Sequence, residues 1–205
     1  MKKRLLFATR SAGKAREIRQ ILGSLPYEIV FPDDIGLYES VDEATVEDAA
    51  TFSGNAQRKA EYFVRRAGMP TVAEDSGLEV FSLGGAPGVR SRRFALATQG
   101  QDEANNAELL RRLAGASPER RTARYRCSVV FLAHESALPV VFEGECRGRI
   151  LKSPCGTGGF GYDPLFFSDD LGVCFGEASF ADKDAVSHRG RALRAFAEWL
   201  LANPL

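Results

Sequence analysis

Apolar and polar positions alternate along the chain in ways that outline its elements. Leu5-Leu6-Phe7-Ala8 is a short apolar run and predicts a buried strand. Ile18, Ile21, Leu22 and Leu25 fall three and four apart and predict an amphipathic helix with Ser11 as its N-cap. Residues 27–31 predict a second strand, closed by Pro32-Asp33-Asp34, and residues 36–48 a polar, acidic surface loop. Phe52, Ala56, Ala60, Phe63, Val64 and Ala67 form the apolar stripe of another helix, which Gly68 and Pro70 end. The run Thr71-Val72-Ala73-Glu74-Asp75-Ser76-Gly77-Leu78-Glu79-Val80 reads as strand, bend at Ser76-Gly77, strand. Leu109, Leu110 and Leu113 mark a short helix ended by Gly115 and Pro118. Tyr125, Cys127, Val129, Phe131 and Ala133 alternate with Arg124, Arg126, Ser128 and Val130, predicting a long strand with one buried face. Residues 140–145 pair with it as a hairpin, and Ala192, Leu193, Phe196, Trp199 and Leu200 form the inward face of a last helix.

Composition narrows the class. A chain of 205 residues fits one domain, 1–205, with room for two lobes. Lys plus Arg and Asp plus Glu balance at 27 each, so no bulk field favours nucleic acid or an anionic membrane, and an anionic ligand would need a local basic site. The apolar run after Lys2-Lys3-Arg4 stops at Arg10, too soon for a signal-peptide core, and no segment approaches a membrane span. Four cysteines without a CxxC pair, beside two histidines, disfavour zinc and fit a reducing cytoplasmic compartment.

Several stretches carry candidate chemistry. Adjacent residues on a strand face opposite ways, so Glu74 and Asp75 are expected to do different jobs. They form either a Mg²⁺ or base site or a turn of solvated acids. Thr9-Arg10-Ser11-Ala12-Gly13-Lys14 joins a strand to a helix N-terminus, where free N–H groups and the dipole favour phosphate; an ordinary turn with a solvated lysine is the alternative. The loop is neither a Walker A motif nor GxGxxG. Asn55 and Lys59, four apart, share a polar helix face that meets water or places Lys59 on phosphate. Arg90-Ser91-Arg92-Arg93 is a basic cluster suited to solvent, a subunit contact or phosphate. In Pro154-Cys155-Gly156-Thr157-Gly158-Gly159-Phe160-Gly161-Tyr162-Asp163-Pro164, glycines allow close backbone approach and aromatics offer stacking faces. Lys183, His188 and Arg189 lie near the start of the last helix, where positive charge opposes the dipole, which points to an anionic or carbonyl-rich ligand or to a structural pair.

Taken in order, these blocks resemble the inosine triphosphate pyrophosphatase family from Leu5 to about Leu200. The matching residues are Ala8-Thr9, Gly13-Lys14 and Glu17; Glu47, Thr51-Phe52, Asn55-Ala56 and Lys59-Ala60; Asp75-Ser76-Gly77-Leu78; Gly84-Gly85-Ala86-Pro87-Gly88; the glycine-aromatic block; and Lys183 with Ser187-His188-Arg189-Gly190. The resemblance implies an α/β fold, an elongated mixed sheet flanked by helices in two lobes with a central cleft, and a homodimer. It implies hydrolysis of deaminated purine nucleoside triphosphates (ITP, dITP, XTP) to monophosphate and pyrophosphate, clearing them from the nucleotide pool. By the same match, Asp75 is general base and Mg²⁺ ligand, and Glu47 is the second metal acid. Thr9, Arg10, Ser11, Ala12, Gly13, Lys14 and Lys59 are triphosphate contacts. Ser76, Phe160, Gly161, Tyr162, Asp163, Lys183, His188 and Arg189 are nucleotide and base contacts. Two departures stand out: Arg10-Ser11 replaces a common Gly-Asn, and Glu74 replaces a common Asp. A pyrophosphatase for another modified or pyrimidine nucleotide and a non-catalytic nucleotide-binding module are the rival readings.

Overall fold

Strand β1 (Lys3–Phe7) shows how the first half of the molecule is layered. Leu5 and Phe7 join one apolar cluster and Leu6, with Ala8 just beyond the strand, joins another. Side chains on a strand alternate in direction, so this strand is covered on both faces. In the computed structural model, which describes residues 2–205, the first cluster lies under α1 (Ala12–Leu22) and α5 (His188–Ala202). The second lies under α2 (Phe52–Ala67), through Ala56, Ala60, Phe63 and Val64.

The remaining elements are β2 (Tyr27–Val30), β3 (Thr71–Val80), α3 (Gln101–Arg112), β4 (Thr122–Leu132), β5 (Val140–Ile150), β6 (Phe166–Ser168) and α4 (Phe180–Val186). The six strands form one sheet in the order β2-β1-β3-β4-β5-β6. β1 is parallel to both β2 and β3, with Leu6 opposite Thr71, whereas β5 and β6 run antiparallel, with Ile150 opposite Phe166. The sheet is therefore mixed and the fold is α/β, as expected.

The chain divides into two compact units. The first contains residues up to Asp75, Cys127–Gly144 and Arg189–Leu205; the second contains Ser76–Arg126 and Glu145–His188. The first unit is three layers, helices on both faces of the sheet. The second is built on one cluster, in which Leu78, Leu109, Tyr125, Ile150, Phe166 and Phe175 meet.

Three expectations change. β3 is one uninterrupted strand, without a bend at Ser76-Gly77; Gly77 has no positive φ, and Leu78 N donates to Ser91 Oγ at 2.9 Å. β4 has one buried face only in its first half. From Cys127 to Leu132 both faces are buried, because helices cover the two sides there. The helix marked by Leu109 is longer than its leucines suggest, since Asp102 and Glu103 in its first turn complement the helix dipole. Ser11 caps α1 as expected, accepting from Lys14 N, and Gly68 ends α2 in the left-handed conformation. Among the described residues no helix is long and apolar enough to cross a membrane.

Candidate active site

In the first unit the expected residues gather on three elements. The β1–α1 loop carries Thr9, Arg10, Ser11 and the start of α1, with Ala12, Gly13 and Lys14. Helix α2 carries Asn55 and Lys59. Strand β3 carries Glu74 and Asp75. The polar face of α2 does not meet water: Asn55 and Lys59 are buried because that face is turned onto the acids of β3.

Asn55 Nδ2 donates to Asp75 Oδ2 at 2.9 Å, while its Oδ1 accepts from Ala49 N at 2.7 Å. Lys59 Nζ pairs with the Glu47 carboxylate and donates to the Glu74 carbonyl at 3.1 Å. Glu74, 1 % exposed, receives Lys14 Nζ at 2.7 Å on Oε1; Arg189 Nε lies 3.7 Å from its Oε2. Arg189 is itself buried and pairs with Glu17 on α1.

Along β3 the two acids make different direct contacts, Glu74 with Lys14 and Asp75 with Asn55, while Lys14 and Lys59 act on both through their charge. Burial works against ionisation of Glu74, but Lys14, Arg189 and Lys59 together hold its carboxyl well below the ordinary range. Asp75 behaves the other way. Burial pushes its carboxyl up, and Lys14, Lys59 and the Asn55 amide offset that only in part. Burial would also raise Glu47, but Lys59 and Lys14 bring it below its ordinary value. Burial disfavours the charge on Lys59, yet Glu47, Asp75 and Glu74 keep it firmly protonated. The result is a buried ammonium among acids of which one, Asp75, has a raised proton affinity.

Arg10 points away from this group. Its Nε and Nη2 donate to the two Glu43 oxygens at 2.7 and 2.8 Å, Nη2 to the Leu37 carbonyl at 2.8 Å, and Nη1 to Asp33 at 2.5 Å.

The other expected residues belong to the second unit. Ser76 is half-buried on β3. The glycine-aromatic block forms an exposed turn secured from below by Asp163, whose Oδ2 accepts from Phe160 N at 2.8 Å and from Lys183 Nζ at 2.6 Å. Gly159 has φ +74°, and a Cβ there would collide with the Asp163 carboxylate, so glycine is required on both counts. Lys183 also lies 4.8 Å from the centre of the Phe160 ring. Tyr162 is buried and donates to the Ser91 carbonyl at 2.8 Å. His188 stacks on Tyr125, with ring centres 4.6 Å apart and 8° between planes.

Sequence reasoning missed two supports of this turn. Asn106 Nδ2 donates to the Gly161 carbonyl at 3.0 Å, and Gly161 N donates to Asp102 at 2.7 Å. Both supports come from α3, whose polar residues look like an ordinary solvated face. It also missed Glu17 as the partner of Arg189, although Glu17 is polar within an otherwise apolar helix stripe.

Comparison with known proteins places the chain. A model described as the Ham1 family matches residues 5–199. A dITP/XTP pyrophosphatase of Geobacter sulfurreducens is 46% identical over 93% of this chain and 92% of its own length. A dITP/XTP pyrophosphatase of Haemophilus influenzae is 40% identical over 94% and 96%. The solved structure of a HAM1 protein from Coxiella burnetii superimposes with TM-score 0.86 at 29% identity, covering 98% of this chain and 99% of that one.

Proposed function

From the premise that this chain belongs to the Ham1 family, as its ordered motifs implied, we propose a mechanism for its hydrolysis of deaminated purine nucleoside triphosphates (ITP, dITP, XTP) to monophosphate and pyrophosphate. The observation that carries the reading is the buried Asp75 carboxyl, raised by burial and oriented by Asn55 within a set that holds Lys14, Lys59 and Glu47.

A general base needs a proton affinity above that of an ordinary carboxylate and a fixed direction. Burial supplies the first and the Asn55 hydrogen bond the second. Asp75 takes the proton of the attacking water. Lys14 and Lys59 offset the charge of the phosphates, joined by the amides at the α1 N-terminus. Glu74 is not a second base, because its cationic partners hold its proton affinity below that of an ordinary carboxylate. It holds Lys14 in place.

The donors present suit Mg²⁺. Among the described residues no three of His, Cys, Asp and Glu are grouped as a metal cage. Mg²⁺ usually takes one or two carboxylates plus substrate oxygens and water, so Asp75 and Glu47 suffice. The raised Asp75 carboxyl supports this, since its surroundings carry less positive charge than its burial demands. When bound, the ion would polarise the phosphates and lower the proton affinity of a bound water.

In the second unit Phe160 offers a stacking face, and donors on Lys183 and His188 suit a 6-oxo acceptor. Adenine presents a 6-amino donor there, and a mismatched polar group left unpaired on binding is costly. A homodimer in the cytoplasm belongs to the same reading. Pyrophosphate release from ITP, XTP, dITP, GTP and ATP, each with and without Mg²⁺, tests it. Faster turnover of ITP, dITP and XTP, dependent on Mg²⁺, is expected. A kcat/KM for ATP equal to that for ITP would remove the base assignment, and full metal-free turnover would remove the ion.

A further inference from the structure

Residues 33–48 contain seven acidic residues and no lysine or arginine. No described side chain from 33 to 50 is fully buried, and Tyr38 and Val41 are 76% and 88% exposed. The segment's apolar anchoring rests on the half-buried Ile35 and Leu37, at its start, and its own charges repel one another. Its regular structure is two short turns, Pro32–Ile35 and Val41–Thr45. Yet it delivers Glu47 to Lys59.

Arg10 is the group that gathers it. One guanidinium forks onto both oxygens of Glu43 and also reaches the Leu37 carbonyl and Asp33. Bidentate arginine–carboxylate pairs hold direction as well as charge, which a lysine cannot do. These contacts fix three points spread over the segment, the last of them four residues before Glu47. Ser40 Oγ adds a lateral tie to Tyr62 OH on α2 at 2.7 Å. The four donor contacts leave the Arg10 guanidinium turned toward the acids of its own chain.

We propose that Arg10 is a positioning residue: it clamps the acidic segment so that Glu47 is presented for the divalent cation, and it does not itself bind phosphate. The Arg10-Ser11 pair, in place of Gly-Asn, then changes how the metal acid is held. The inference rests on the metal role given to Glu47 above, but the clamp can be read without turnover.

The amides of Leu37, Glu43 and Val46, which donate within the turns, are the reporters. Hydrogen exchange on the full chain without metal is compared for wild type, Arg10→Ala, Arg10→Lys and Glu43→Gln. Loss of the fork should speed exchange at these three amides by about tenfold, equivalent to about 1.4 kcal/mol, with strand amides unchanged. Arg10→Lys should recover only part of the protection. Glu43→Gln should act in the same direction as Arg10→Ala but less, because the Leu37 and Asp33 contacts of Arg10 remain, and the double variant should exceed Arg10→Ala little, because the fork is already lost there. Mn²⁺ titration followed by its paramagnetic signal should show weaker binding in Arg10→Ala and Glu43→Gln. In turnover, the Mg²⁺ concentration for half-maximal rate should rise more than the nucleotide KM.

Unchanged exchange in Arg10→Ala with a raised nucleotide KM would overturn the clamp and make Arg10 a phosphate ligand. Additive effects of the two single changes would also overturn it. Altered exchange with unaltered Mn²⁺ binding would separate the segment from the metal. If the chain proved inactive on every triphosphate while exchange still responded, the hydrolase reading would fail and the clamp would stand.

Discussion

Asp75 and Asp163 are both buried aspartates, one in each unit, and their surroundings differ in kind. Asp163 meets an ammonium at 2.6 Å and a backbone N–H at 2.8 Å on one oxygen, and it organises a turn. Asp75 is held by the neutral amide of Asn55 at 2.9 Å, and its neighbours Lys14 and Lys59 pair with other acids, Glu74 and Glu47. Burial without a dedicated cation leaves Asp75 with a raised carboxyl. A buried acid with a full set of partners is architecture. A buried acid denied one keeps its capacity to take a proton or a metal ion.

The largest effect should come from Asp75→Asn. It keeps the shape and removes the charge, so turnover should fall by about 10²–10⁴-fold, the span associated with general acid–base catalysis. The melting temperature should stay near that of the wild type. An active Asp75→Asn protein would erase the contrast between the two aspartates.

Asp163→Ala should do the reverse, acting first on stability. It strands Lys183 in the interior, and breaking a buried ion pair typically costs about 3–5 kcal/mol. Urea unfolding measures this, and a loss within about 0.5 kcal/mol of zero, the range of an ordinary surface substitution, would show that the turn does not depend on Asp163.

Asn55→Ala should have the smallest effect and sharpens the comparison. The Asn55 hydrogen bond lowers the Asp75 carboxyl, so its loss should raise it further. The base works only when deprotonated. The acid limb of the kcat/KM profile should therefore move to higher pH, with the plateau rate less affected. A limb that stayed in place, or moved to lower pH, would contradict the assignment of Asp75 as the titrating base.

Much of this was legible in local pattern. The stripes on α2 and α5 and the strand over residues 124–132 follow from periodicity, because side-chain direction repeats every 3.6 or every two residues, and the cap at Ser11 follows from a hydroxyl at the helix start. The ordered motifs carried the family. The single-faced reading of β4 failed beyond Arg126, because a strand's own alternation does not show how many layers will cover it. The bend at Ser76-Gly77 failed because those residues permit a turn without requiring one.

Other features needed the fold. Asn55 and Lys59 look like a solvated face until α2 is laid against β3. Arg10 looks like a phosphate-loop cation until residues 33 to 43 arrive beside it. Arg189 and Glu17, 172 positions apart, pair only because the last helix packs against the first. The sequence by itself determined which residue types exist to do the chemistry and how each element turns its faces. Tertiary structure alone decided which acid is neutralised and which is left in need of a partner, because charges at these distances depend on burial and on neighbours remote along the chain.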